Sequence, residues 1–193
     1  MFELLKDERP NDDPVKLVVG LLSADRKLLE QALSALAEGF GTVSVKSPEI
    51  PFGFTDYYEK EMGPNLVRQW VGFHGLIESE QLADFKNTTR SLEKSFLGPN
   101  HKRRVNLDPG MLSLHNFVLA STKGFAHRIY LHDGIYADLA LLFQSGKFQP
   151  LPWTYPDYQT PVCHEFLIRC RKDLLAEVAQ QRMSQDGPFI KAT

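Results

Sequence analysis

With two cysteines in 193 residues, the sequence has no disulfide framework to stabilise it. Cys163 and Cys170 fall seven apart in a segment that reads as one helix, where a rise of about 1.5 Å per residue separates their Cα atoms by about 10 Å. A disulfide needs less than about 7 Å. Both are in register with Phe166, Leu167, Leu174 and Val178, an apolar stripe at helical spacing. They read as core thiols, with a zinc pair as the weaker alternative. Excess charge of one sign is also missing: 22 Lys and Arg face 24 Asp and Glu, and the pI is about 6.3. Binding to nucleic acid is therefore unsupported, and any anion site must be a local patch. No stretch approaches the roughly 18 apolar residues of a membrane helix, so no membrane partner is expected. The opening MFELLKDERPNDDP is charged where a signal peptide would be apolar, and a cytoplasmic protein is expected.

Common catalytic signatures are absent as well. A P-loop needs GxxxxGK followed by Ser or Thr, so that backbone amides wrap the phosphates while the lysine reaches the outer ones. The nearest stretch, GFGTVSVKS, has Lys46-Ser47 but Val45 where the second glycine belongs. No GxGxxG follows the first apolar run, no GxSxG elbow occurs, and His164-Glu165 lacks the second histidine of HExxH. These misses lower dehydrogenase, serine-hydrolase and zincin chemistry. No metal site and no particular cofactor is indicated.

What is present fits one well-packed α+β domain, since 42% of residues are hydrophobic and 24% charged. That domain is expected over residues 15–184, with a flexible N-terminus over 1–14 and a frayed tail over 185–193. KLVVGLL (16–22) reads as a buried strand. Ser23 or Asp25 then caps a helix with Leu28, Leu29, Ala32, Leu33 and Leu36 on its apolar face, ended by Gly39. GTVSVKS reads as a strand, and 47–65 as a long loop whose aromatics argue against disorder. LVRQWVGFHGLI (66–77) reads as a strand, followed by a helix opened by Ser79, then the strand RRVNL (103–107) and an Asp108-Pro109-Gly110 turn. This order predicts a ferredoxin-like βαββαβ core. MLSLHNFVLAS (111–121) is ambiguous and leans to a short helix. Turns at Asp133-Gly134 and Ser145-Gly146 predict a C-terminal three-stranded meander, and Thr160-Pro161 opens a long C-terminal helix.

Several polar groups are candidates for function. If Asp133-Gly134 is a two-residue turn, residues whose numbers sum to 267 oppose each other, which makes His127 and Asp138 diagonal neighbours on one face and puts Arg128 on the other. A carboxylate beside a histidine orients it and raises its basicity, so His127 with Asp138 is the candidate catalytic pair. The bland alternative is a buried polar pair that satisfies its own hydrogen bonds. Arg104, Lys123 and Arg128 are candidate anion contacts, against the usual fate of solvated charge. Asn106 and Asp108 point to the same side of a strand end, although Asp108 also has the position of a helix N-cap. In TDYYEKEMG, Tyr57 belongs to a candidate lid, whose plain alternative is an exposed loop tip. KFQPLPWTYPDY (147–158) holds three prolines and four aromatics, too much ring surface for a linker. It is a rigid cover, a site wall, or both, with Trp153 and Tyr155 as candidate stacking groups.

The strings FTDYYEKEMGPNL, RRVNLDPGMLSL, HRIYLHDGIYADL and KFQPLPWTYPDY together resemble an uncharacterised family of small bacterial and archaeal proteins, a domain of unknown function, across about residues 15–180. The resemblance implies no activity, ligand or catalytic residue. Members are sometimes labelled GTP-binding, but neither a phosphate loop nor an Asn-Lys-x-Asp signature is present here. The expectation is a small anionic ligand, a nucleotide or phosphorylated metabolite, held between the 47–65 loop, VNLDPG, the TKG-HR segment and PLPWTYPDY. The alternative is a non-catalytic module whose aromatic, proline-rich surface docks a protein partner.

Overall fold

The computed structural model describes residues 14–185. The expectations for residues 1–13 and 186–193 lie outside them. Strand β1 (Lys16–Ser23) is buried along its whole length, as an eight-residue run with apolar groups on both faces requires. It pairs antiparallel with β4 (Val67–Phe73) on one side and β5 (Val105–Leu112) on the other. With β2 (Val43–Lys46), β6 (Asn116–Ser121), β7 (Arg128–Tyr130) and β8 (Tyr136–Gln144), the sheet runs β2-β4-β1-β5-β6-β8-β7. Two short strands complete it, β3 (Ile50–Pro51) on β4 and β9 (Lys147–Pro150) on β8. The fold is mixed α and β with an antiparallel nine-stranded sheet and a C-terminal helix.

Helices cover both faces. On one, α1 (Arg26–Phe40) sets Leu28, Leu29 and Leu36 against Leu17, Val19 and Leu21, with Phe85, Leu92 and Phe96 packed alongside. Phe85 and Leu92 belong to α3 (Leu82–Ser95). The long helix α4 (Pro161–Gln185) lies on the other face, where Cys163, Phe166 and Cys170 meet Val18, Trp70 and Phe117. Its approach is close enough to need glycine beneath it: a Cβ on Gly72 would stand 2.8 Å from the Cys170 sulfur. Both thiols are free and buried, and burial pushes each far up from its ordinary pKa.

Several local expectations are corrected. Helix α1 runs through Gly39 and stops at Gly41, whose φ of 95° is open to glycine. Asp25 caps its start, accepting from Lys27 and Leu28 N–H. The 47–65 loop contains β3 and the short helix α2 (Glu59–Met62), and Phe52 and Met62 anchor it against Leu22 and Leu66. There is no Asp108-Pro109-Gly110 turn and no helix after it. Strand β5 runs straight through to Leu112, and Asp108 therefore caps nothing. The residues read as a helix are the end of β5, a turn in which Ser113 Oγ accepts from the His115 and Asn116 N–H groups, and β6.

The hairpin register is also off by one. Leu131 N–H donates to Ile135 O, enclosing a three-residue loop, His132 to Gly134, in which Asp133 and Gly134 both have positive φ. Arg128 consequently pairs with Asp138, and Ile129 with Ala137. The slip moves Arg128 onto the Asp138 face. Strands β7 and β9 do not flank β8 as a meander would. Both lie along one edge, β7 beside Tyr136 to Asp138 and β9 beside Leu141 to Gln144, because β6 fills the other edge.

Candidate functional site

Strands β5 and β6 pair only from Gly110↔Leu119 to Leu112↔Phe117, and then part. The reason is chemical. Leu107 turns its N–H and C=O away from β1, and Pro109, two residues on, faces the same way without an N–H to give. Beyond Gly110, therefore, β5 offers β6 no N–H before Leu107. Helix α3 satisfies the bared edge with side chains: Glu93 Oε1 accepts the Leu107 N–H at 2.6 Å, and Lys86 Nζ donates to Leu107 O at 2.9 Å. This explains why a lysine and a glutamate on α3 are buried or half-buried.

The gap opens into a cavity of about 500 Å³. Its floor is an alternating chain of charge. Arg68, on β4, is 3% exposed and bridges Asp108 (Nη1 to Oδ2, 3.1 Å) and Asp157 (Nε to Oδ2, 2.9 Å). Asn106 Nδ2 donates to Asp108 Oδ2 at 2.6 Å, and Arg103 Nη1 donates to Asn106 Oδ1 at 2.7 Å. Lys86 stands 3.5 Å from the other Asp108 oxygen. Burial works against the charge on Asp108, but Lys86 and Arg68 outweigh it and hold its pKa below the ordinary value. Burial wins at Asp157 and Glu93, raising both against the pull of Arg68 and Lys86 respectively. Carboxyls perturbed in opposite directions within one cleft mark a functional-site candidate.

The wall is aromatic. Phe52 and Tyr158 flank Arg68, whose guanidinium carbon lies 5.3 and 5.8 Å from their ring centres. Tyr58 lies under Arg103, and Arg103 in turn grips Glu61 of α2 through Nε and Nη2. Lys123 Nζ donates to the Tyr57 hydroxyl at 3.0 Å, a contact that lowers the phenol's pKa. Segment 52–62 thus arches across the opening, fastened to Arg103 and Lys123. Five lining residues are cationic (Arg68, Lys86, Arg90, Arg103, Lys123) and four are carboxylates (Glu93, Asp108, Asp138, Asp157), so the two sets nearly balance.

Of the residues singled out in the sequence, Tyr57, Asn106, Asp108, Lys123, Asp138 and Tyr155 line this cavity. Arg128, His127, Trp153 and Arg104 do not. Arg128 stands behind the wall, donating to Asp138 (2.8 Å), Ser121 Oγ (2.9 Å) and the Tyr155 hydroxyl (2.5 Å). His127 comes within 3.4 Å of Asp138 Oδ1, and its ring stacks on Trp153 at 4.7 Å. Arg104 turns away and pairs with Asp25 at 2.9 Å. KFQPLPWTYPDY both covers and walls: Trp153 donates to Leu139 O and Thr154 is buried, while Tyr155, Asp157 and Tyr158 face the cavity.

Sequence reasoning missed Arg68, Lys86, Arg90 and Glu93. A signal existed on α3, where the charges at 86, 90 and 93 recur at helical spacing beside the apolar stripe. Arg68 carried no comparable mark.

The chain matches, over residues 13–174, the family described as Domain of unknown function (DUF4416). It belongs to that family. No curated protein and no solved structure matches the DUF4416 chain. Among its described residues no group of three or more His, Cys, Asp or Glu is placed to hold a metal ion, and no helix is long and apolar enough to cross a membrane.

Proposed function

We propose that this DUF4416 protein binds a small anionic molecule, a nucleotide or phosphorylated metabolite, in the cavity between β5 and β6. One observation carries the reading: a pocket of about 500 Å³ draws cations from β4, α3, the β6–β7 connection and the residues leading into β5, and aromatic rings from two further segments. Ligand sites are concave, in this size range, and combine apolar walls with a few convergent polar groups. Should the protein be an enzyme, Asp138 is the member of the His127–Asp138 pair that reaches the cavity, with His127 acting through it. A thermal-shift screen of nucleotides, sugar phosphates, inorganic phosphate and divalent metals tests the reading. A ligand at 100 times its Kd stabilises by about 2.7 kcal/mol. For a chain of this length that raises Tm by about 7 °C. No shift with any anion would refute it.

The strand order β2-β4-β1-β5, with α1 and α3 as crossovers, supports a ferredoxin-like assignment for the first half of the sheet within one domain over residues 15–184. We keep the cytoplasmic location as part of the same proposal. Protein docking is favoured by a different surface from the expected one: Ile129 and Tyr130 on edge strand β7 are 71% and 58% exposed, and Phe125 beside them 68%. Self-association that depends on concentration and is abolished by Ile129→Ser would establish that reading; a monomer at all concentrations would remove self-docking.

A further inference from the structure

Deep in the cavity, three side chains have polar atoms with no hydrogen-bond partner. The Tyr158 hydroxyl, in a residue 2% exposed, is one. Arg68 Nε and Asp157 Oδ2 stand at an ion-pair distance of 2.9 Å, yet the two are not aligned to hydrogen-bond. All three residues line the cavity and are more than nine-tenths buried. Leaving a buried polar atom unbonded costs about 1–3 kcal/mol, a cost that falls on the Tyr158 hydroxyl, while Arg68 Nε and Asp157 Oδ2 hold each other's opposite charge. Beside them the Asn106–Asp108 pair offers an amide and a carboxylate a hydrogen bond apart.

The outer part of the cavity has the opposite character. Arg90 is exposed, and its one hydrogen-bond partner among the described residues is Asn87 on its own helix, at 3.4 Å. Lys123, also exposed, bonds the neutral Tyr57 hydroxyl. Neither cation makes an ion pair with a described carboxylate. A simple anion would satisfy this rim and meet carboxylates below it, whereas a neutral sugar would satisfy only the floor.

We infer that the cavity takes a phosphate ester bearing vicinal hydroxyls, with the ester group held by Arg90 and Lys123 at the rim and the hydroxyls by Asp108 and Asn106 on the floor. The inference rests on the anionic-ligand reading above and narrows it to one chemical class. The Asp108 carboxylate accepts from one hydroxyl while the Asn106 amide donates to its neighbour, a pairing that a lone phosphate cannot use. Two sources share this chemistry, a free sugar phosphate and a ribonucleotide, and the Tyr58 and Tyr155 rings would add stacking surface for the second.

Isothermal titration of the whole chain tests it, with ribose 5-phosphate, AMP and GMP against their 2-deoxy counterparts, and with ribose and inorganic phosphate as single-feature probes. The expected result is at least tenfold tighter binding of a hydroxylated ester than of its deoxy counterpart, of ribose and of phosphate. Preference for ribose 5-phosphate assigns the sugar phosphate, and preference for a nucleotide assigns the ribonucleotide. Arg90→Ala should weaken that ligand at least fivefold with the melting temperature unchanged, and an unaltered affinity would overturn the rim assignment. Equal affinity for ribo and deoxy esters, or phosphate alone binding as well, would overturn the inference while leaving the anionic reading standing. No binding of any phosphate compound would overturn both.

Discussion

Replacing Arg68 with methionine keeps most of the side chain's volume and removes its charge from between Asp108 and Asp157. The guanidinium is buried, lies 3.1 and 2.9 Å from the two carboxylates, and sits between the rings of Phe52 and Tyr158. Burial alone would disfavour its charge, but Asp157, Tyr158 and Asp108 outweigh that cost and raise its pKa. Removing one partner of a buried pair costs about 3–5 kcal/mol, because the other charge stays behind uncompensated. With an unfolding entropy of about 2.1 cal/mol/K per residue, the loss corresponds to about 7–12 °C in Tm. The sign with pH follows from what remains. Removing Arg68 takes a stabilising cation from both aspartates and raises both pKa values, so the loss is greater at pH 7 than at pH 5. Circular-dichroism melts at both values, together with the Asp157→Leu and double variants, give the coupling, expected at about 0.5–3 kcal/mol for residues in contact. A Tm change under about 2 °C at pH 7, or an equal loss at both pH values, would show that the floor is not the electrostatic unit described.

Gly20→Ala would place a methyl group 2.7 Å from the Tyr158 hydroxyl and 3.1 Å from Arg68 Nη1. Urea unfolding should show a loss of about 1–3 kcal/mol, the usual cost of overpacking. Asp157→Asn tests the raised carboxyl: a pKa higher in the folded state contributes stability below the unfolded value and loses it as pH rises through the folded one. The advantage of the wild type over this variant in urea midpoint should therefore be larger at pH 4 than at pH 7, and the reverse order would contradict the shift. Cys163 and Cys170, both buried with raised pKa, should resist a thiol reagent in the native protein and react fully in denaturant; rapid native labelling would show that α4 is not seated as described.

Periodicity made the frame legible. The apolar run of β1, the stripes of α1 and α3, and the Cys163 to Val178 stripe of α4 each announce an element that a hydrophobic face stabilises. Turn chemistry was read less well. Asp108-Pro109-Gly110 has the composition of a turn, yet Pro109 fits an extended strand once the neighbouring strand stops short of it. One extra residue in the Asp133-Gly134 hairpin reversed which face Arg128 occupies, because side chains alternate strictly along a strand. The site was legible where its residues sit in unusual strings, such as Tyr57, Asn106, Asp108 and Tyr155. Arg68, Lys86 and Glu93 were hidden because each lies inside an ordinary strand or helix pattern, and only the packing of one layer against another brings them to the cavity.

Pro109 also has a kinetic consequence. Pro109 offers β6 no N–H and α3 already satisfies Leu107, so the β5 edge along the gap has its partners without an occupant. A molecule entering it displaces water without separating strands, so association should proceed at a rate set by encounter and by the strap over residues 52–62. Restoring the amide with Pro109→Ala would give β6 one more rung to climb and would make the empty cavity compete with its own closure.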